Sequence, residues 1–213
     1  MAERPHVLTL DQLVERARTL AEAGPRQLLG IAGAPGAGKS TLAAQLVAAL
    51  GESAVLVPMD GFHLAEAELH RLGRHARKGA IDTFDGDGYL ALLQRLREPD
   101  DTIVYAPEFQ RSIEEPIAGA IPVPPSVRLV VTEGNYLLVP DGPWARVREL
   151  LDEAWYLDAD ADDRLRRLTE RHIQFGRSAA EAAARASGPD QVNADLIATT
   201  AHRADLVVRL ATA

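Results

Sequence analysis

The segment Gly33 to Ser40 has the residue types and spacing of a phosphate-binding P-loop, G-x-x-x-x-G-K-[ST]. Its glycines let the backbone curve around an anion, because they adopt conformations that a Cβ would disfavour. Successive N–H groups and the dipole of the following helix then favour bound phosphate. We predict that Lys39 contacts the β- and γ-phosphates and that Ser40 binds Mg²⁺. The predicted nucleotide contacts in this segment are Gly33, Ala34, Pro35, Gly36, Ala37, Gly38, Lys39, Ser40 and Thr41.

The flanks of this segment support a nucleotide site. Gln27 to Ala32 predicts a buried strand, and Thr41 to Leu50 predicts an amphipathic helix. Strand, loop and helix in this order are the context that the motif requires. The alternative is a glycine-rich turn that contains Lys-Ser by chance, and it explains neither flank.

Two carboxylates follow predicted strands. Asp60 comes after residues 54–57, and Glu133 comes at the end of the core strand that starts at residue 127. In open α/β sheets, ligands bind at the carboxyl ends of the strands. We predict that Asp60 aligns or deprotonates an attacking hydroxyl, and that Glu133 serves the metal or a substrate hydroxyl. The alternatives are a turn former at Asp60 and an ordinary strand-end contact at Glu133.

A charged helix predicted over residues 161–175 carries Arg164, Arg167 and Arg171 at i, i+3 and i+7, which places them on one face. Clustered guanidinium groups can neutralise the charge of a phosphoryl group in transfer. We predict that Arg167 contacts the nucleotide, that Arg171 is catalytic, and that a lid of about residues 161–180 closes over the site. The alternative is a solvated helix whose arginines pair with neighbouring acids.

Composition limits the class of protein. The chain has 213 residues, no cysteine and a formal net charge of −8. The acidic balance argues against a nucleic-acid-binding surface, and the absence of thiols suits a reducing compartment. No run approaches membrane-spanning length and no signal pattern is present, so we expect a cytoplasmic protein without membrane contact. A homodimer is the default expectation for its assembly.

Strands alternate with helices along the chain, which predicts an α/β fold in a single domain, 1–213, with a parallel sheet and helices on both faces. Thr9 is predicted to cap the first helix and Asp87 a later one. Residues 64–85 are predicted to form a short helix and a loop over the site, and residues 114–126 a loop or an irregular hairpin. The remaining predicted strands are 102–105, 154–157 and 206–208, and the remaining predicted helices are 144–151 and 189–202.

The histidines show no metal-binding motif. His63, His70 and His75 lack the spacing of H-E-x-x-H and similar patterns, so we predict no metal site among the six histidines. His63 is close to Asp60 in the chain, and we expect it to contact the substrate.

Several segments together resemble the phosphoribulokinase/uridine kinase family of P-loop kinases. Besides the P-loop, they are Met59 to His63, Arg77 to Ala80, Thr83 to Asp85, Tyr105 to Pro107, Arg111, and Thr132 to Tyr136. The resemblance implies a three-layer P-loop NTPase fold with a helical lid, ATP and Mg²⁺ as cofactors, and a small-molecule substrate. It places Asp60 at the catalytic aspartate and Arg171 in the lid. The implied substrate contacts are Asp60, His63, Arg77, Lys78, Tyr105, Arg111 and Glu133.

The chain departs from this family before Arg111, where an acidic residue is expected and Gln110 stands instead. Gln110 can hydrogen-bond hydroxyls but carries no charge. The leading hypothesis is an ATP-dependent kinase that phosphorylates a hydroxyl of a sugar, a nucleoside or a pantothenate-like metabolite. The alternatives are a nucleotide-binding regulatory NTPase, a transport ATPase subunit and a degenerate kinase-fold binding protein. An Asn-Lys-x-Asp guanine motif is absent from the sequence, which disfavours a GTPase.

Overall fold

The computed structural model describes residues 4–98 and 102–211. Its strands are β1 (His6–Leu8), β2 (Gln27–Ala32), β3 (Ala54–Leu56), β4 (Val104–Gln110), β5 (Glu115–Val123), β6 (Leu129–Gly134), β7 (Glu153–Leu157) and β8 (Leu206–Leu210). Six of them form a sheet in the order β1-β8-β7-β2-β6-β3, and every neighbouring pair is parallel. This confirms the predicted parallel sheet.

Helices cover both faces of this sheet. They are α1 (Leu10–Glu22), α2 (Lys39–Leu50), α3 (Glu66–Arg71), α4 (Gly86–Arg97), α5 (Gly142–Leu150), α6 (Ala161–Gln174), α7 (Ala179–Ser187) and α8 (Pro189–Ala198). Successive residues of a strand point to opposite faces. Accordingly Leu29 packs with α1 and α2, whereas Leu28 packs with α4 and α5. The result is the three-layer α/β architecture that the sequence predicted.

The sheet order places the carboxyl ends of β2, β6 and β3 side by side. Ala32 lies opposite Gly134 in the β2–β6 pair, and Leu56 lies opposite Val131 in the β6–β3 pair. The P-loop therefore leaves the sheet next to Glu133, and the turn that holds Asp60 leaves it on the other side of Glu133. Parallel pairing alone brings these three distant segments to one edge.

The strand predicted at residues 102–105 does not belong to the main sheet. Within the described residues it begins at Val104 and pairs antiparallel with β5, so the two strands form a separate hairpin with a register shift between Ala106 and Glu108. A four-residue connection can join antiparallel strands, whereas a parallel pair needs a long crossover. The irregular hairpin predicted for residues 114–126 is this β5 strand, and its prolines are tolerated because the hairpin has only edge strands.

Besides shifts of one or two residues at several helix ends, the helices differ from the predictions in a cap, in the end of a helix and in one additional helix. Asp85, not Asp87, caps α4, because its Oδ1 accepts the N–H of Gly88 at 2.8 Å. The helix predicted over 189–202 ends at Ala198 and continues as a separate short turn. The sequence prediction also missed α7, although Ser178 and Glu181 form a capping box that marks its start.

The first helix begins as predicted, since Thr9 and Gln12 form a reciprocal capping box. The short helix predicted within 64–85 is α3. Among the described residues, no helix is both long and apolar enough to span a bilayer.

Candidate active site

The P-loop connects β2 to α2 and has the backbone geometry of an anion cradle. Gly36 and Gly38 adopt φ values of +80° and +100°, which side chains disfavour. A Cβ on Gly36 would lie 2.8 Å from the carbonyl oxygen of Arg164 and 2.8 Å from Cγ of Leu168, both in α6. The loop therefore packs directly against the first half of the predicted lid.

Gly36→Ala is expected to destabilise the protein by about 1–3 kcal/mol, because the variant combines backbone strain with a collision against α6. Gly176→Ala is the matched control: φ at Gly176 is +93°, and a Cβ there would meet no atom of the described residues within 4 Å. Urea unfolding and ATP titration of both variants give the measurement. Equal losses of stability in the two variants would show that the contact between the loop and α6 contributes nothing.

Lys39 lies at the start of α2 and is 7% exposed. Its Nζ donates to the carbonyl of Ala34 at 3.1 Å and to Oδ1 of Asn135 at 2.8 Å. Burial lowers the pKa of Lys39, and the carboxylates of Glu133 and Asp60 oppose that effect. The ammonium is thus held beside the loop by two oxygen acceptors and two nearby acidic groups.

Glu133 connects the P-loop helix to the sheet edge. It is 6% exposed, and the Ser40 hydroxyl donates to its Oε1 at 2.9 Å. Burial, and then the charge of Asp60, raise the pKa of Glu133, while Lys39 opposes the shift. A hydroxyl and a carboxylate in contact are the oxygen ligands that Mg²⁺ prefers, so the donor set fits this ion.

Asp60 lies in the 3₁₀ turn Met59–Phe62 that follows β3. Its Oδ2 accepts from Nη2 of Arg111 at 3.0 Å, which joins the turn to the β4–β5 hairpin. A Cβ on Gly61 would lie 2.4 Å from the carbonyl oxygen of Pro107, so only glycine allows this close approach of turn and hairpin. The carboxylate remains partly accessible, with 30% of its side chain exposed.

His63 follows this turn and is held in a defined orientation. Its ring packs on Phe84 and Phe109 with centroid separations of 4.0 and 4.7 Å, and its Nδ1 lies 2.8 Å from the carbonyl oxygen of Asp60. A carbonyl oxygen only accepts, so Nδ1 carries the proton. Burial lowers the pKa of His63, although the Asp60 carboxylate opposes the shift. The ring is therefore neutral near pH 7, and Nε2 is a hydrogen-bond acceptor.

Of the four arginines of α6, the three on the predicted face have different environments. Arg164 is 5% exposed, and it donates to the carbonyl of Pro35 at 3.3 Å and to Gln191, so it braces the loop from behind. Nη1 of Arg167 lies 3.8 Å from the position of a Cβ on Gly38. Arg171 is half-buried, and within the described residues its guanidinium forms no hydrogen bond or ion pair. Its pKa is lowered by burial and by the charge of Arg111.

Two of the predicted substrate residues, Arg77 and Lys78, pair with other groups, and a third, Tyr105, is exposed. Arg77 forms an ion pair with Asp82 through both terminal nitrogens. Lys78 hydrogen-bonds Glu66 and donates to the carbonyl of Glu114 at 2.6 Å. Tyr105 is 54% exposed on β4. Among the described side chains, none of the three forms a hydrogen bond or ion pair with Asp60, His63 or Glu133. The structure groups Arg111 and His63 with Asp60, and it places the Lys78 ammonium beside this group, 5.0 Å from the centroid of the Phe109 ring on which His63 packs.

Two features of the site escaped the sequence prediction. Asn135 is one, and its position two residues after Glu133 at the end of β6 is the signal that points to it. The other is a cavity of about 170 Å³ behind the P-loop. Residues from four segments line it, so no local pattern reveals it. The lining residues with polar side-chain groups are Tyr156, Asp158, Arg164, Gln191 and Asp195, and Ala34 and Ala37 contribute apolar surface.

The chain is similar along most of its length to known P-loop kinases. No protein-family model matches the chain. A Schizosaccharomyces pombe protein that is provisionally named a uridine kinase is 34% identical over 218 residues, covering 97% of this chain and 93% of that protein. The chain belongs to the uridine kinase-like family of P-loop kinases. It is also similar to a protein from Silicibacter provisionally named a fructose transport system kinase, with 38% identity, a TM-score of 0.85 and coverage of 94% and 98%.

Other members of this kinase family carry different substrate names. A pantothenate kinase from Leifsonia xyli is 32% identical over 181 residues, which cover 82% of this chain and 54% of that enzyme. Uridine, fructose and pantothenate thus all occur in the names of relatives at similar identity. Membership in the family supports a kinase and a nucleotide-binding P-loop, and it leaves the acceptor to be argued from the site.

Proposed function

We propose that this chain transfers the γ-phosphoryl group of MgATP to a hydroxyl of a small polar metabolite, in the class of sugars, nucleosides and pantothenate-like compounds. The observation that carries the proposal is the grouping at one sheet edge of Lys39, the Ser40–Glu133 pair and Asp60. This set provides a phosphate-binding cation, a metal-binding oxygen pair and a carboxylate for the acceptor hydroxyl.

Different residues of the site bind different parts of MgATP, the phosphoryl donor. The backbone N–H groups of the P-loop, which Pro35 lacks, bind the phosphates, and Lys39 neutralises charge at the β- and γ-positions. Ser40 and Glu133 hold Mg²⁺ directly or through its waters; bound Mg²⁺ supplies charge neutralisation at the phosphoryl oxygens. We assign the base to the cavity beside the P-loop, because Ala34 and Ala37 of the loop line it and its carboxylate and amide groups can hydrogen-bond an exocyclic amine.

Arg167 and Arg171 act from the lid helix. The guanidinium of Arg171 has no hydrogen-bond partner among the described residues and lies in the field of Asp60, Glu133 and Arg111. A guanidinium without a committed partner is available to the transferring phosphoryl group. Asp60 receives the proton of the acceptor hydroxyl, and Arg111 keeps its carboxylate oriented.

A coupled ADP-release assay across fructose, other sugars, nucleosides and pantothenate tests the proposal. We expect at least one acceptor to raise ADP release well above the acceptor-free rate, with mass spectrometry showing one added phosphoryl group on that acceptor. Acceptor-independent hydrolysis alone would instead support a nucleotide-driven switch. Tight ATP binding without turnover for any acceptor would support a kinase-fold binding protein.

His63 is expected to select acceptors that carry a second hydrogen-bond donor. Its Nε2 has no partner in the described part of the chain, and no side-chain nitrogen or oxygen there is both fully buried and unpaired, so Nε2 is accessible. His63→Phe should raise the acceptor KM about five- to tenfold, as one lost hydrogen bond contributes about 1 kcal/mol. His202→Phe, at an exposed position, is the control. An unchanged KM would exclude this contact.

A further inference from the structure

Glu66, His70 and His75 form a cluster of metal-ligand atoms on the outer surface of the molecule. One ligand atom from each residue lies within 4.8 Å of the other two. Glu66 and His70 are four residues apart in α3 and therefore share a face of that helix. Histidine spacing alone does not reveal this cluster, because one of the three ligands is a glutamate and a tight turn brings in His75.

The end of α3 has a Schellman geometry that fixes this turn. Gly73 has φ +65° and donates its N–H to the carbonyl of His70 at 3.0 Å, and Arg74 donates to the carbonyl of Leu69 at 2.8 Å. The chain thus reverses immediately after the helix and carries His75 back towards Glu66. This turn brings the three side chains together.

The side chains already contact each other. Nε2 of His75 lies 2.7 Å from Oε2 of Glu66, and the rings of His70 and His75 stack with centroids 4.1 Å apart and an interplanar angle of 16°. Lys78 hydrogen-bonds the other carboxylate oxygen, Oε1.

We propose that Glu66, His70 and His75 bind one divalent transition-metal ion of the Zn²⁺ class. Two imidazole nitrogens and one carboxylate oxygen are a ligand set typical of Zn²⁺, with water completing the tetrahedron. Mg²⁺ prefers an all-oxygen environment, so this site is distinct in kind from the Ser40–Glu133 pair. Lys78 acts as the outer partner that orients the carboxylate.

The ion would connect segments that border the acceptor side of the active site. The carbonyl oxygen of Lys78 accepts from Nη2 of Arg185 in α7 at 2.7 Å, and the Lys78 ammonium lies 5.0 Å from the ring centroid of Phe109. Fixing Glu66 against His70 and His75 therefore also fixes a lysine that contacts both α7 and the hairpin. The metal site has no part in the proposed phosphoryl transfer, so metal binding there does not depend on the proposed kinase activity.

Calorimetric titration of the full chain with Zn²⁺, in excess Mg²⁺, tests the proposal. We expect one Zn²⁺ per chain, with at least about tenfold weaker binding in Glu66→Gln and a larger loss in the double variant His70→Ala/His75→Ala. The double variant His6→Ala/His202→Ala removes two exposed histidines outside the cluster and should bind as the wild type does. Co²⁺ should give visible absorption of a four-coordinate site in the wild type and the control only.

Equal Zn²⁺ affinity in the two double variants would overturn the proposal, as would displacement of Zn²⁺ by a comparable concentration of Mg²⁺. Both histidines are exposed, so their replacement should leave the urea unfolding curve in place. Zn²⁺ should raise the melting temperature of the wild type and not that of His70→Ala/His75→Ala.

Discussion

Asp60→Asn is expected to lower the turnover number by about 10²–10⁴-fold while ATP affinity stays close to that of the wild type. The amide has the shape of the carboxylate and can still accept from Arg111, which lies 3.0 Å away in the wild type. It cannot take a proton from the acceptor hydroxyl. Asp60 is also separated from the P-loop by β6, so its loss should change transfer far more than nucleotide binding.

The measurement for Asp60→Asn combines a coupled assay with a separate ATP titration. Asp163→Asn is the control, because Asp163 forms an exposed ion pair with Arg166 that contributes little. Near-normal turnover in Asp60→Asn would remove Asp60 from the role of base. A parallel loss of ATP affinity would mean that the carboxylate acts on the donor side instead.

Lys39→Met is expected to weaken ATP binding and to lower transfer by about 10²–10³-fold, the range for losing one group that stabilises transition-state charge. Methionine keeps the length of the side chain and removes the ammonium. The carbonyl of Ala34 and Oδ1 of Asn135 then lose their donor. ATP titration and single-turnover transfer are the two measurements.

Lys39→Met should also shift the acid limit of the remaining activity. Burial already raises the pKa of Glu133, and Lys39 opposes that rise. Without the ammonium the pKa of Glu133 rises further, so Glu133 stays protonated up to a higher pH. A protonated carboxyl group is a poor ligand for Mg²⁺, so the site loses this ligand over a wider pH range. Residual activity should therefore fall at a higher pH than in the wild type as the solution is acidified.

Lys78→Met is the matched control for Lys39→Met, since Lys78 is the second of the two lysines in the chain. Lys78 is also largely buried, but it pairs with Glu66 and Glu114 away from the P-loop. We expect Lys78→Met to cost stability and to leave ATP affinity unchanged. Unaltered ATP binding in Lys39→Met would contradict the assignment of the loop.

Local patterns predicted much of the fold because the signals act over a few residues. The continuous apolar run from Leu28 to Ala32 predicted β2 correctly, and the capping box at Thr9 predicted the start of α1 correctly. The β4–β5 hairpin was harder to predict, because a short β-branched run has the same sequence pattern in a parallel sheet and in an edge strand. The position of β4 depends on which partner it finds, and that partner is β5, not the main sheet.

For the candidate active site too, some features could be predicted from the sequence and others could not. The ends of parallel strands meet at one edge whatever the side chains are, so Asp60 and Glu133 could be paired with the P-loop from the order of strands and helices along the chain. The partners of individual charges could not be predicted. Arg77 and Lys78 have the residue type for a substrate pocket, yet each finds an acidic partner within its own surface segment.

By itself the sequence determined the phosphate-binding loop, the two acidic strand ends and the arginine face, because each depends on residue type, short spacing and the rule that parallel strands share an edge. The tertiary structure alone decided that Arg164 braces the loop while Arg171 has no committed partner among the described residues. It also decided that Asn135 holds Lys39 and that Glu66 meets two histidines. These contacts join segments whose proximity arises only when the helices pack, and no local pattern encodes that packing.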